Sequence, residues 1–271
     1  MPHIITPQLL GHLTTGMAIK SYLKRFVFSL FGVGAFATVI KLGCVAVDHW
    51  FDLRYGLDTC SWSDLKGLTI NSKNKDSGVR YQPTRVLPLK KLLRTIQPMI
   101  PENPMLVDYG CGKGRVLLVA SAFGFREVRG IEFAHELCEI ARKNCARYKA
   151  KAGVNTEFRI AEADAAGHPV SADENIFFLY NPFDVSVLNK VLDNVSASLR
   201  RTPRKIMIIY HNPKWAHVFD ERADFVRLSE VSFWGYHFTV LTNRNGGSAD
   251  EHALQCSGSV IQSGRAPSRN H

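Results

Sequence analysis

Apolar residues recur with two different periods between residue 86 and residue 243, and the alternation of those periods organises the chain. Short runs at Met105–Val107, Val128–Phe133, Thr156–Ala161, Asn175–Tyr180 and Lys205–Tyr210 predict strands. Between them, Val116–Ala120, Ala134–Lys151 and Val185–Leu199 carry helical spacing, with Leu137, Ile140, Ala141 and Cys145 on one face of the second. The run NIFFLY at 175–180 is almost continuously apolar, as a central parallel strand covered on both faces must be. A short helix over Trp215–Phe219 follows, then strands Phe225–Phe233 and Tyr236–Thr242 joined through Trp234-Gly235 as a hairpin. Upstream, Val86–Ile96 reads as an amphipathic helix closed by Pro98 and Pro101. Strands alternating with helices argue for an α/β architecture around a mostly parallel sheet.

The flanks follow other rules. Lys20, Lys24 and Arg25 precede an apolar stretch, Phe26–Val47, in which 15 residues separate Arg25 from Lys41. That is short of the ~20 a spanning helix needs, and Gly32 and Gly34 weaken it as an isolated helix. No small-residue cleavage site makes it a signal peptide. The expectation is a helix packed on the core or lying on a membrane surface, with peripheral membrane contact through 20–47. Residues 48–85 are polar, aromatic and turn-rich, and Asn71–Gly78 reads as an exposed loop. From residue 244 the chain is Gly, Ser, Asn and charge, and disorder is expected. Three regions result: a basic, apolar helical extension at 1–79, a central domain at 80–243 and a tail at 244–271.

Charge sharpens this division. The net charge is +10, and residues 1–105 hold thirteen Lys/Arg against six Asp/Glu, so most of the excess sits in the N-terminal part. Such an extension suits an acidic partner, anionic lipid or nucleic acid. Six scattered cysteines without a C-x-x-C pair argue against a disulfide framework or zinc site and fit a cytoplasmic protein, membrane-associated if the extension touches lipid.

The chemistry concentrates in MLVDYGCGKGRVLLVASAFGFREVRGIEF at 105–133. An apolar strand ends at Asp108, a turn carries Gly110, Gly112 and Gly114, a helix follows, and the next strand ends in Glu132. Glycines at alternate positions let the backbone turn sharply and let a ligand lie against it. Glu132 falls 18 residues after Gly114, where a carboxylate beside the turn can accept both hydroxyls of a ribose. A dinucleotide fingerprint would place its third glycine at position 115, which is Arg.

The pattern D-x-G-x-G-x-G, with Glu132 one strand on, resembles the class I S-adenosylmethionine (SAM) dependent methyltransferases, over about 60% of the chain at 80–243. The resemblance implies an α/β, Rossmann-like three-layer sandwich with a mostly parallel seven-stranded sheet and an antiparallel last strand, here with an N-terminal helical extension. It implies SAM as cofactor, no metal, and a cofactor cradle of Asp108, Gly110, Cys111, Gly112, Gly114, Glu132 and Phe133. Asp164 and Ala165 would read the adenine edge, and Tyr81 and Thr84 would cover the methionine end. Tyr180-Asn181-Pro182-Phe183 is similar to the N/D-P-P-Y/F motif of enzymes that methylate planar or amide nitrogens, although the second proline is missing. By that likeness Asn181 would hold an amine through its amide oxygen, Phe183 would wall the methyl, and Tyr180 or Tyr210 would place the nucleophile. His211 is a candidate base, set against a packed strand end as the better reading.

The chain resembles most a set of bacterial methyltransferase-like proteins of unassigned substrate with Y-Q-P-T, D-x-G-x-G-x-G-R and Y-N-P-F segments, and more loosely the seven-stranded lysine methyltransferases. The expected function is methyl transfer to a nitrogen nucleophile. The acceptor stays open among protein lysine, small amine, amide and nucleobase. The alternatives are a non-catalytic SAM- or nucleotide-binding module attached to a membrane or acidic partner through its N-terminus, and an NAD-dependent oxidoreductase, against which Arg115 speaks.

Overall fold

A computed structural model describes residues 35–244, apart from 62, 64–66, 75–77, 79, 80 and 182. The tail expected to be disordered and the first part of the apolar stretch, up to residue 34, lie outside the described residues. Helices α1 (Ala35–Tyr55) and α2 (Val86–Ile96) come first. Then β1 (Met105–Tyr109), α3 (Arg115–Ser121), β2 (Glu127–Glu132), α4 (His135–Ala152), β3 (Glu157–Glu162) and β4 (Ile176–Leu179) alternate. The chain finishes with α5 (Val185–Arg201), β5 (Met207–His211), the short α6 (His217–Asp220), β6 (Phe225–Phe233) and β7 (Tyr236–Asn243).

The seven strands form one sheet in the order β3-β2-β1-β4-β5-β7-β6. β1 to β5 are mutually parallel, and β7 runs antiparallel to both β5 and β6. This is the Rossmann-like sheet with a reversed last strand that the sequence led us to expect. The order reverses between β1 and β4, and in open α/β sheets the crevice beyond the carboxyl ends of those strands is where ligands bind.

The strands are hydrophobic on both faces because each face is covered. Leu106, Val128, Ile176, Phe178, Met207 and Ile209 belong to one core, which includes residues of α1 to α4. Val107, Ile131, Phe177, Leu179, Ile208 and Tyr210 belong to the other, under α5. Alternate residues of one strand therefore feed opposite layers.

Helix α1 departs from expectation. It continues to Tyr55, eight residues past the apolar stretch, through a segment read as turn-rich. Its buried residues include Asp48 and Asp52, spaced to share a face, whereas Val39, Leu42, Trp50 and Leu53 are exposed. Phe51 joins the core of α2 and α3.

Candidate functional site

The site is built where β1 hands over to α3. Gly110 and Cys111 donate their N–H groups to the Ile131 carbonyl at 2.8 and 3.1 Å, which hangs the turn from the end of β2. Gly110, Gly112 and Gly114 have φ of +77°, +52° and +85°, the region that only glycine enters at little cost. At Gly112 there is a second constraint. A Cβ there would stand 2.3 Å from Cδ2 of Tyr81, whose ring lies against the bare turn while its hydroxyl donates to the Thr59 carbonyl at 2.9 Å.

Glu132 reaches back from the end of β2 to the same turn. Its Oε2 accepts from the Gly112 N–H at 2.9 Å, and its Oε1 accepts from the N–H groups of Phe133 and Ala134 at 3.0 Å. Burial raises the Glu132 carboxyl above the ordinary range, against the lowering pull of those three N–H groups. Asp108, opposite Gly130 of β2, is also buried. Burial, then the neighbouring Glu132 charge, raises its carboxyl well above the usual range, and no hydrogen bond from a described residue reaches it. Burial with the same two carboxylates pushes the Cys111 thiol well up, so it stays neutral and serves as wall.

Gly114 faces Ala141 and Cys145 of α4, whereas Gly110, Cys111, Gly112, Asp108, Glu132 and Phe133 line a cavity of about 420 Å³ over the carboxyl ends of β1, β2 and β4, large enough for a nucleoside-sized ligand. Asp164 and Ala165 line its far side, with Asp164 just beyond β3. Asp164 is already engaged: Oδ2 accepts from the Ser72 hydroxyl and the Asn74 amide, both at 2.6 Å, and Oδ1 from the Ala166 N–H at 2.9 Å. Partial burial works against its ionisation, but these bonds hold its carboxyl below the ordinary value. Asn74 and Gly78 of the segment expected to be an exposed loop line the cavity, Gly78 bridging to Phe183, and Ile70 just before it bridges to Ala134. Tyr81 and Thr84 belong to the same wall.

The end of β4 forms the opposite rim. Tyr180, Asn181 and Phe183 all line the cavity, and Pro182 lies outside the described residues. Asn181 adopts φ +39°, where asparagine is among the few tolerated side chains. Its Oδ1 accepts from the Tyr210 hydroxyl at 2.7 Å and the Lys214 N–H at 3.3 Å, while its Nδ2 donates to the Asn212 carbonyl. Both lone pairs of the oxygen expected to hold an amine are therefore spent on tying the rim to β5. Tyr180 lines the cavity, and no hydrogen bond acts on its hydroxyl from a described residue; burial raises its pKa.

His211 is a packed strand end. It is stacked between Tyr180, with ring centroids 3.9 Å apart, and Phe238 at 4.4 Å, and burial lowers its pKa to about 3, so it is neutral near pH 7. As a base it is poorly placed.

Sequence reasoning missed the residues that hold the cover in place. Arg115, fully buried at the start of α3, pairs with Asp48 at 2.9 Å and Asp52 at 3.8 Å and donates Nε–H to Thr59 at 2.7 Å. Lys113 bonds Ser61 and pairs with Asp58 at 3.2 Å. Two acids one turn apart just past the apolar stretch, beside Trp50 and Phe51, were the available signal, because buried carboxylates require a cation.

The electrostatics select a ligand class. Carboxylates of Asp108, Glu132, Asp164 and Asp184 line the cavity. Of its two lining cations, Arg115 is consumed by Asp48 and Asp52, and Lys214 lies 4.5 Å from the centre of the Trp215 ring. Such a cradle favours a cationic ligand rich in donors and opposes a pyrophosphate.

Residues 107–207 match the family model of a methyltransferase domain. That span runs from β1 to the first residue of β5 and contains the glycine turn, Glu132, Asp164 and the β4 rim. The chain is also 26% identical over 182 residues to the ribosomal protein L11 methyltransferase of Burkholderia multivorans, covering 65% of this chain and 54% of that protein. It is 31% identical over 94 residues to the Burkholderia thailandensis protein of the same name, covering 33% and 30%. The chain thus spans about half the length, or less, of the curated relatives it matches. Among solved structures, an RNA methyltransferase from Salinibacter ruber in complex with S-adenosyl-L-homocysteine is similar at 22% identity and TM-score 0.43, over 62% of this chain and 98% of that one.

Proposed function

We propose that this chain transfers the methyl group of SAM to a nitrogen nucleophile. The observation that carries the reading is a glycine turn and two buried carboxylates facing one cavity, in which Asp108, Glu132, Asp164 and Asp184 outnumber the lining cations Arg115 and Lys214. SAM fits that cradle by charge, because its sulfonium and ammonium are cationic and its ribose and adenine amino groups donate. Glu132 would accept a ribose hydroxyl on the remaining lone pair of Oε2, Asp164 the adenine amino group on that of Oδ1, and Asp108 with Gly110–Gly112 would lie along the methionine portion. Tyr81 and Thr84 would close that end. SAM supplies an activated methyl group; the protein has to align the acceptor and keep water out.

The acceptor side belongs to the β4 rim. Tyr180 offers a hydroxyl to the incoming nitrogen and Phe183 an apolar wall, while Asn181 positions both by holding the rim to Tyr210 and Asn212. A neighbouring groove of about 640 Å³ shares Asn181, Asn212 and Lys214 with the cavity and gives the acceptor a way in. The matched relatives are named for a ribosomal protein and for RNA, so a protein amine and a nucleobase are the acceptors to test first.

Isothermal titration of SAM into wild type should give saturable binding that Glu132→Ala weakens by at least roughly tenfold, the scale of one lost hydrogen bond to a buried carboxylate. Folded wild type that binds no SAM would refute the reading. Incubation of cell lysate with methyl-labelled SAM then identifies the acceptor class by the fraction that becomes labelled.

A further inference from the structure

Two ammonium groups converge on the turn between β6 and β7. Lys91 of α2 stands 4.7 Å from the centre of the Phe233 ring and 5.1 Å from that of Trp234. Lys41 of α1 reaches the same turn, where a Cβ on Gly235 would stand 3.8 Å from its Nζ. Trp234 is 36% exposed and holds φ +55°, a conformation that a bulky residue adopts only at a cost. Backbone strain of that kind is concentrated where a protein meets a ligand.

The charge around this turn is one-sided. Lys91 and Arg94 are exposed on α2 and Lys90 is half-buried between them, and the helix carries no acid. Lys90 lies 5.9 Å from the centre of the Phe51 ring, where burial and then the Arg94 charge lower its pKa. The two acids of α1, Asp48 and Asp52, are buried and taken by Arg85 and Arg115. Among the described residues no carboxylate pairs with Lys41, Lys90, Lys91 or Arg94.

The turn also stands at the cavity end of the sheet. His211 pairs with Phe238, and Asn212 donates its N–H to the His237 carbonyl at 2.7 Å, so Trp234-Gly235 lies beyond the carboxyl end of β5. Ser232 and His237, one pair in from the turn, line the groove that shares Asn181, Asn212 and Lys214 with the cavity. Glu230, the one acid among the described residues of that groove, is paired with Arg227.

We infer that the 233–235 turn, with Lys41, Lys90, Lys91 and Arg94, binds a single-stranded nucleic acid, Trp234 stacking on a base while the cations meet the phosphates. Unpaired cations grouped around an exposed ring hold such strands by their two constant features, charge and π-face. A lipid surface fits less well. The exposed Val39, Leu42 and Leu53 lie on the side of α1 away from Lys41, so this patch offers a bilayer one tryptophan and no aliphatic side chain to insert. The inference does not rest on the proposed methyl transfer, since none of these residues lines the cavity.

Fluorescence anisotropy of the full chain with a short, labelled, mixed-sequence RNA tests it. Wild type should bind the single strand, and salt should weaken binding. Lys41→Glu with Lys91→Glu should weaken it roughly tenfold and lower the slope of log affinity against log salt by about 0.7 for each lysine lost. Trp234→Asn, which suits the positive φ, should weaken single-strand binding roughly tenfold and leave binding to the duplex of the same sequence unchanged. All variants should keep the wild-type SAM affinity and at least its Tm. Lys41→Gln with Lys91→Gln serves if the charge reversal disturbs folding. The inference is overturned if wild type ignores the RNA, if both double lysine variants bind as wild type does, or if Trp234→Asn leaves single-strand binding intact. Binding to phosphatidylserine vesicles or to polyglutamate without binding to RNA would overturn it in favour of a lipid or an acidic protein.

Discussion

The glycine turn at 110–114 and helix α1 meet at Arg115, and they are built on opposite principles. The turn places bare backbone and carboxylates against an open cavity, and its hydrogen bonds run to residues near in fold and sequence, Ile131 and Glu132. Helix α1 buries its acids and exposes its hydrophobic residues, and its partners lie 30 to 70 positions away, in Arg85 and Arg115. Local geometry specifies the first; long-range charge pairing specifies the second. Arg115 links them, because it starts the helix that follows the turn and neutralises the helix that covers it. The glycine turn and the helix that covers it are therefore packed together through Arg115.

Breaking that link should have the largest effect. Arg115→Leu leaves Asp48 without one of its two cations and Asp52 without its ion pair in the core, and removing one partner of a buried pair costs about 3–5 kcal/mol. Urea unfolding should show that loss. Arg115→Lys should restore little of it, since an ammonium cannot reach Asp48, Thr59 and the Thr84 carbonyl together as the guanidinium does. A variant as stable as wild type would mean that α1 is held by Phe51 and its apolar neighbours alone.

Next in size is a test of the turn. Gly112→Ala places a methyl group into the Tyr81 ring at a positive φ, and a cost of about 1–3 kcal/mol is expected from overpacking and strain. Tyr81→Ala in the same chain should remove the clash and leave the strain, so the two changes should not add. Additive losses in a double-mutant cycle would show that the ring and the turn do not touch in solution.

The smallest effect is expected at His211. Because its folded pKa is depressed to about 3 from 6.5, the neutral ring is stable above pH 6.5. Its contribution is lost as the pH falls from 6.5 towards 3, where the unfolded chain takes up the proton first. His211→Phe keeps the stack between Tyr180 and Phe238, should cost less than about 1.5 kcal/mol at pH 7, and should flatten the loss of stability below pH 6.5. Methyl transfer at pH 7 should change little. A large loss of activity with normal SAM binding would restore His211 as a base.

The sheet and its helices were legible because their periods are local: NIFFLY can bury both faces only in a central strand, and Leu137, Ile140, Ala141 and Cys145 mark one side of α4. The turn was legible because three alternate glycines ahead of an acid-terminated strand have few other uses. Illegible were the continuation of α1 through Asp48 and Asp52, which reads as an end to the apolar pattern, and the spending of the Asn181 oxygen on Tyr210 and Lys214. Arg115 was informative only by what it was not. Its role as a cation depends on acids more than sixty residues upstream.

By itself, then, the amino-acid order determined the alternating elements and the reversal at the last strand, because each follows from backbone freedom and side-chain spacing over a few residues. Only the tertiary structure decided which polar groups remain available in the cavity. Hydrogen bonds and ion pairs are consumed by whichever partner folding brings within about 3 Å, and those partners come from distant segments. The same competition left hydrophobic residues on the outside of α1, where the buried acids fix which face the helix can show.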